Sequence, residues 1–103
     1  MMQTDIKAVA CPTATNTSVY GSRGRIRALT ITATTGATQI SIYDSNQPTG
    51  TATGSIAGNL SWAFVPHTTG NPIHVEVPAE GILCQNGILA SVPANVTMTV
   101  YYS

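Results

Sequence analysis

Few residues in this chain belong to the types that carry out chemistry. One close pair is His74 and Glu76, which lie two positions apart and therefore share one face of an extended strand. Such a pair can orient a general base or bind a metal, or it can form a solvent-facing polar row on a half-buried strand, which we expect here. The second histidine, His67, lies among turn residues. No nucleophile elbow, zinc-binding helix or phosphate-binding loop occurs in the sequence, so we predict no catalytic residue, no metal site and no cofactor.

The two cysteines, Cys11 and Cys84, offer a second kind of chemistry. A disulfide between them requires an oxidising compartment, and the N-terminal sequence has neither the basic nor the long apolar region of a secretory signal. A metal site requires a second Cys or His at ligand spacing, which neither cysteine has. We therefore expect two buried, free thiols that act as small hydrophobic side chains, with a disulfide as the alternative.

A cluster of arginines holds most of the positive charge. Arg23, Arg25 and Arg27 are three of the four basic residues, and four acidic residues bring the formal net charge to zero. The cluster can contact phosphate groups, face a protein partner or form a solvated strand end. Nucleic-acid binding depends mainly on an excess of cationic side chains, so a chain with zero net charge is not expected to bind nucleic acid. A partner-facing surface and a solvated strand end both remain open.

The composition predicts a single all-β domain. The chain has 103 residues, and its sixteen Thr, nine Gly and six Pro favour strands joined by tight turns. Apolar and polar residues alternate along seven to nine short segments, which is typical of an antiparallel β-sandwich, jelly-roll-like, or of a small barrel. No apolar run is long enough to span a bilayer, so we expect no membrane contact.

The clearest strand begins near Arg23. Its odd-numbered residues share one face, and because Leu29 and Ile31 are among them, we expect that face to point into the core. The later arginines then lie on the same line near the end of the sheet, where their guanidinium groups reach water. Turn residues at 35–38 predict that this strand and the next one, residues 39–44, form a hairpin.

The low charge of the chain predicts an assembled protein. Charged residues make up 8% of the sequence, whereas a free soluble domain carries about a quarter. We infer that partners cover much of the surface. A chain terminus becomes ordered when it docks, and we predict that residues 1–6 form a docking arm. The predicted partner contacts are Met1, Met2, Ile6, Arg23, Arg25 and Arg27.

Several segments resemble a group of small all-β structural proteins from tailed bacteriophages. The matching segments are Gly-Ser-Arg-Gly-Arg-Ile-Arg at 21–27, Asp44 at the end of the next strand, Val-Pro-Ala-Glu-Gly-Ile-Leu at 77–83, Gly-Ile-Leu-Ala at 87–90 and Asn-Val-Thr-Met-Thr-Val-Tyr-Tyr at 95–102. The resemblance implies a capsid decoration (cement) protein, made in the host cytoplasm and bound to the outer capsid surface of the virion. Its partners would be the major capsid protein, copies of itself or both, in a homo-oligomeric or lattice-bound state.

Two alternative functions remain open. A tail, neck or fibre component would also be structural, with other tail proteins as partners. A small carbohydrate-binding sandwich would instead use aromatic rings as stacking faces, although such rings are more often buried in a core or an interface. The aromatic candidates are Tyr43, Trp62, Tyr101 and Tyr102.

Overall fold

The chain folds into β-strands joined by short loops. In a computed structural model, the described residues are 6–34, 36, 38–56, 58–66, 71–77 and 81–103. These residues contain nine strands: β1 (Lys7–Cys11), β2 (Thr15–Tyr20), β3 (Gly24–Ala33), β4 (Ile40–Asp44), β5 (Asn59–Phe64), β6 (Ile73–Glu76), β7 (Ile82–Cys84), β8 (Ile88–Val92) and β9 (Val96–Tyr102). A 3₁₀ turn, Thr53–Ser55, precedes β5. Within these ranges, no helix is long and apolar enough to cross a membrane.

The strands form two antiparallel sheets that enclose the core between them. One sheet has the order β1-β9-β3-β6, with the short β7 also paired to β3, and the other has the order β2-β8-β4-β5. With β7 set aside, these are the eight strands and the two-sheet order of a jelly roll. The prediction of an all-β sandwich is confirmed.

The core follows from the alternation of apolar and polar residues along the inner strands. In β9, Val96, Met98, Val100 and Tyr102 are buried, whereas the residues between them lie on the outer side. Strands β3, β4 and β8 add further fully buried Ile and Leu side chains. Each such side chain contributes roughly 1.5–3 kcal/mol by leaving water, so this inner layer supplies most of the driving force for folding.

The predicted hairpin between β3 and β4 is wrong. The two strands belong to different sheets, β3 pairing with β9, β6 and β7, and β4 pairing with β5 and β8. Turn residues indicate where a chain reverses, but they do not determine whether the next strand pairs beside the last one or crosses to the opposite sheet. Here the crossing lets both sheets bury their apolar faces against each other.

A β-bulge interrupts β3 at Arg27. Ile26 lies opposite Tyr102 and Ala28 lies opposite Tyr101, so the intervening Arg27 is an extra residue relative to β9. A bulge of this kind changes the side to which the following residues point. The core-facing residues of β3 therefore have even numbers before Arg27 and odd numbers from Leu29 onwards.

The bulge corrects the expected direction of the arginines. Ile26 and Leu29 would face opposite sides of a regular strand, yet both are fully buried. Arg25 and Arg27 accordingly lie on the outer side of the sheet and are half-buried. The sequence pattern had placed them on the same side as Leu29 because period-two alternation assumes that no residue is inserted.

Two neighbouring segments fit against the bulge. The backbone N–H of Val77, just after β6, donates to the carbonyl oxygen of Arg27 at 3.0 Å. Gly81, just before β7, has a φ of +83°, and a Cβ at this position would meet the carbonyl oxygen of Ile26. Strands β6 and β7 thus share one edge of β3, with the bulge between them.

The close approach of Gly81 predicts a measurable cost for a side chain there. Gly81→Ala should lower the free energy of unfolding by about 1–3 kcal/mol, because alanine is strained at positive φ and its Cβ collides with the backbone of Ile26. Urea denaturation measures this change. Gly21→Ala is the control, since nothing lies within 4 Å of a Cβ at that position. Equal stabilities of the two variants would contradict this account of the bulge.

Candidate partner-binding surface

One cleft at the bulged end of the five-stranded sheet unites two of the predicted contact regions. Ile6, just before β1, and Arg27, at the bulge, both line a shallow cleft of about 320 Å³. Ile6 is 57% exposed. The other lining residues are Ala28, His74, Glu76, Val77 and Tyr101.

A second groove continues from this cleft around the start of β3. Its volume is about 210 Å³, and all three clustered arginines line it. Because Arg27 lines both grooves, the two form one continuous surface, whereas Lys7 lines neither. We call it the arginine surface and define it by Ile6, Arg23, Arg25, Arg27, His74, Glu76 and Tyr101.

Hydrogen bonds with Ser103 hold the side chain of Arg27 and the backbone of Arg25. The Nε of Arg27 donates to Oγ of Ser103 at 2.7 Å. The backbones of Arg25 and Ser103 exchange two further hydrogen bonds, of 2.9 and 3.0 Å, which continue the pairing of β3 with the end of the chain beyond the bulge. A guanidinium group that is already held in place loses less conformational entropy when it binds a partner. The bond to Ser103 thus limits the conformational freedom of the Arg27 guanidinium.

A polar row borders the cleft on the outer face of the sheet. Oγ1 of Thr30 lies 2.9 Å from Nδ1 of His74 and 3.3 Å from the hydroxyl oxygen of Tyr101. The rings of His74 and Tyr101 meet edge to face with their centroids 6.0 Å apart. Burial alternates along β6, so the expected polar row on a half-buried strand is confirmed. These groups offer hydrogen bonds to a partner.

In this row, the hydroxyl of Thr30, the imidazole of His74 and the carboxylate of Glu76 follow one another. Enzymes that activate a hydroxyl nucleophile arrange the same three groups in this order. Nε2 of His74 lies 3.4 Å from Oε2 of Glu76, and the two side chains are 49% and 80% exposed. At such exposure, water screens the interaction between imidazole and carboxylate, so the pair orients the imidazole only weakly. Among the described residues, no three His, Cys, Asp or Glu side chains are grouped closely enough to hold a metal ion.

The predicted contact residues have different outcomes. Ile6, Arg23, Arg25 and Arg27 come together on the arginine surface. Met1 and Met2 lie outside the described residues, as does His67.

Two of the four aromatic candidates for sugar stacking belong to the core or pack against it. Tyr102 is buried and its ring stacks on Tyr20, with the centroids 5.1 Å apart. Trp62 packs against the hydrophobic core. Tyr101 remains on the outer face beside the cleft, and Tyr43 is half-buried. Burial in the core is thus confirmed for Tyr102, whereas Trp62 is half-buried against the core.

Asp44 has a structural role that its sequence position does not reveal. Its carboxylate accepts backbone N–H groups from Gln85 at 3.0 Å and from Asn86 at 2.7 Å. These charge-assisted bonds tie the end of β4 to the turn between β7 and β8, where the chain passes from one sheet to the other. The partners lie far away in the sequence, so only the folded chain identifies this carboxylate as a turn cap.

Both cysteines are buried and free, as expected. Burial raises the pKa of the Cys11 thiol to about 11. Burial also raises the pKa of the Cys84 thiol, where a hydrogen bond with Ser61 opposes the shift and the carboxylate of Asp44 adds to it. The thiolate is the reactive form, so both thiols are protected in the folded state.

This protection predicts the response to a thiol reagent. At pH 8, the raised pKa of Cys11 should leave it with roughly a hundredfold less thiolate than an unperturbed cysteine carries. Reaction with a disulfide reagent should therefore be slow for the folded protein and should rise with pH. In denaturant, both thiols should react rapidly at the same pH. Rapid reaction of the folded protein would contradict the burial of the cysteines.

No protein-family model, curated protein or solved structure matches the chain. The fold, the arginine surface, the composition and the sequence segments described above are therefore the grounds on which a function can be proposed.

Proposed function

We propose that this protein is a structural component of a bacteriophage virion, and more specifically a capsid decoration protein that binds and stabilises the major capsid shell. The observation that carries the proposal is that Ile6 and Arg27 line one cleft and that all three clustered arginines line the groove beside it. Two separately predicted contact regions thereby lie on a single surface. The resemblance to small structural proteins of tailed phages supplies the virion as its setting.

The composition of the arginine surface suits a protein partner. Arginine and tyrosine are enriched at protein interfaces, where they combine apolar contact area with hydrogen bonding. Arg23, Arg25 and Arg27 can form paired hydrogen bonds with carboxylates of a capsid protein. Ile6 and Tyr101 add apolar contact area beside them. The surface thus combines charge pairing with burial of hydrophobic area.

A protein stabilises a shell by burying surface area against the capsid subunits, and this requires no catalytic group. A decoration protein that contacts neighbouring capsid subunits buries on the order of 1,000–2,000 Å² with them. Rupture of the shell must then expose that area as well as the contacts between the subunits themselves. The 8% of charged residues agrees with a protein that partners cover. A jelly roll also agrees, since viral capsid domains use it, although lectins and cupins use it too.

Quantitative mass spectrometry of purified particles of the encoding phage tests the proposal. A copy number in the hundreds, in a constant ratio to the major capsid protein, is the expected result. A count between a few and a few dozen would instead assign the protein to the neck, tail or fibres. Absence from the particles would overturn both structural assignments.

Charge reversal tests the arginine surface. The triple substitution Arg23→Glu, Arg25→Glu and Arg27→Glu should lower occupancy on capsids at least about tenfold, because it removes the pairing with carboxylates and adds repulsion. Binding of purified protein to capsids that lack it provides the measurement, with circular dichroism to verify folding. Lys7→Glu is the control, since Lys7 lines neither groove. An equal loss of binding with both variants would contradict a specific role for the arginine surface.

Deletion of residues 1–6 tests the arm in the same assay. The truncated protein should fold, because β1 begins at Lys7, but should bind capsids more weakly. Unchanged occupancy would remove the arm from the proposal and leave the arginines as the contact.

A further inference from the structure

A cleft with polar walls lies at the end of the four-stranded sheet where β2 and β4 begin and β8 ends. Its volume is about 500 Å³, larger than either groove of the arginine surface, with which it shares no lining residue. Small-molecule sites in proteins usually have volumes of about 300–1,000 Å³. We call it the polar cleft and define it by the side chains of Thr15, Asn16, Gln39, Thr51 and Ser91.

A row of neutral polar side chains crosses three neighbouring strands at this cleft. Asn16 in β2 lies opposite Ser91 in β8, and Ser91 lies opposite Ser41 in β4. The residues on either side of Ser91 belong to the hydrophobic core, so Ser91 points to the outer side of the sheet. Nε2 of Gln39 donates to Oγ of Ser41 at 3.1 Å and extends the row. Neighbouring strands are about 4.8 Å apart, so one small ligand can reach several of these groups.

A loop bonded to β2 forms one wall of the polar cleft. Gly50 donates its backbone N–H to the carbonyl oxygen of Asn16 at 2.9 Å, and the side chain of Asn16 donates to the carbonyl oxygen of Thr51 at 2.7 Å. Oγ1 of Thr51 donates to the carbonyl oxygen of Pro48 at 2.8 Å. These bonds fix the wall to β2. They also occupy backbone groups that an added peptide strand would need, so a compact ligand fits this cleft better than an extended peptide.

The polar cleft keeps hydrogen-bonding capacity for a ligand. Ser91 is half-buried, and its hydroxyl has no hydrogen-bond partner in the described part of the chain. A hydroxyl both donates and accepts hydrogen bonds, and the side-chain amide of Gln39 does the same through its nitrogen and its oxygen. None of the described residues that line the cleft is charged or aromatic. The lining therefore suits a neutral ligand rich in donors and acceptors, rather than an ion or a flat ring.

We propose that the polar cleft binds a neutral saccharide of one or two sugar rings. Each sugar hydroxyl both donates and accepts hydrogen bonds, which matches the hydroxyl and amide groups of the cleft. None of the four aromatic candidates for sugar stacking lines the cleft, so recognition depends on hydrogen bonds to the hydroxyls of the sugar. Such bonds replace bonds to water and contribute little each, so the dissociation constant should be on the order of 1 mM.

Nuclear magnetic resonance tests the site directly. The full chain, labelled with ¹⁵N, is titrated with four neutral disaccharides: maltose, cellobiose, lactose and chitobiose. With at least one of them, the side-chain amide signals of Asn16 and Gln39 and the backbone amide signal of Ser91 should shift and reach saturation. The backbone signals of Arg27 and Tyr101, on the arginine surface, should not move. Absence of saturable shifts with all four sugars, or shifts centred on the arginine surface, would overturn the proposal.

Substitution of Ser91 tests the cleft by a second route. Ser91→Leu should raise the dissociation constant of the bound disaccharide at least about tenfold, because the larger side chain enters the cleft and removes a hydroxyl. Ser91→Ala removes the hydroxyl alone and should weaken binding roughly two- to tenfold, the loss of one hydrogen bond. Thr97→Leu is the control, since Thr97 is an exposed hydroxyl residue of the other sheet and does not line the polar cleft.

Circular dichroism verifies that these variants are folded, and Ser91→Ala keeps the test decisive if leucine prevents folding. Equal affinities of the Ser91 variants and of Thr97→Leu would refute binding in the polar cleft. Neither experiment uses capsids, so the outcome is independent of the proposed role in the virion.

Discussion

The bulge at Arg27 is the constraint on which the arrangement of this molecule depends. Without the extra residue, the burial of Leu29 would bring Arg25 and Arg27 to the core side of β3 and expose Ile26. Burying a guanidinium without a partner costs far more than burying an isoleucine gains. The insertion resolves this conflict, because apolar residues enter the core on both sides of the bulge while the arginines stay outside. The same insertion creates the wall of the cleft that Ile6 shares.

The arginine surface belongs to the five-stranded sheet and combines cations, a tyrosine and an exposed isoleucine. This combination offers both charge pairing and apolar contact area to the capsid partner that we propose.

Several residues that hold this framework together have partners far away in the sequence. Asp44 caps a turn that joins the two sheets, and Gly81 allows the chain to pass close to the backbone of Ile26. Sequence patterns identify Gly81 as a turn residue, but they do not reveal that the backbone of Ile26 lies close to it. The predicted hairpin failed for a similar reason, since local turn chemistry contains no information about which sheet receives the next strand.

The sequence by itself determined the all-β class, the strands of the core and the exposure of His74 and Glu76, because period-two alternation and turn residues are local properties of the chain. It also singled out the arginine cluster and Ile6 as separate candidates for contact. Only the tertiary structure decided that they share one surface and that the arginines point outwards. These features depend on an inserted residue and on the order of strands in the sheets, which long-range pairing establishes when the whole chain buries its core.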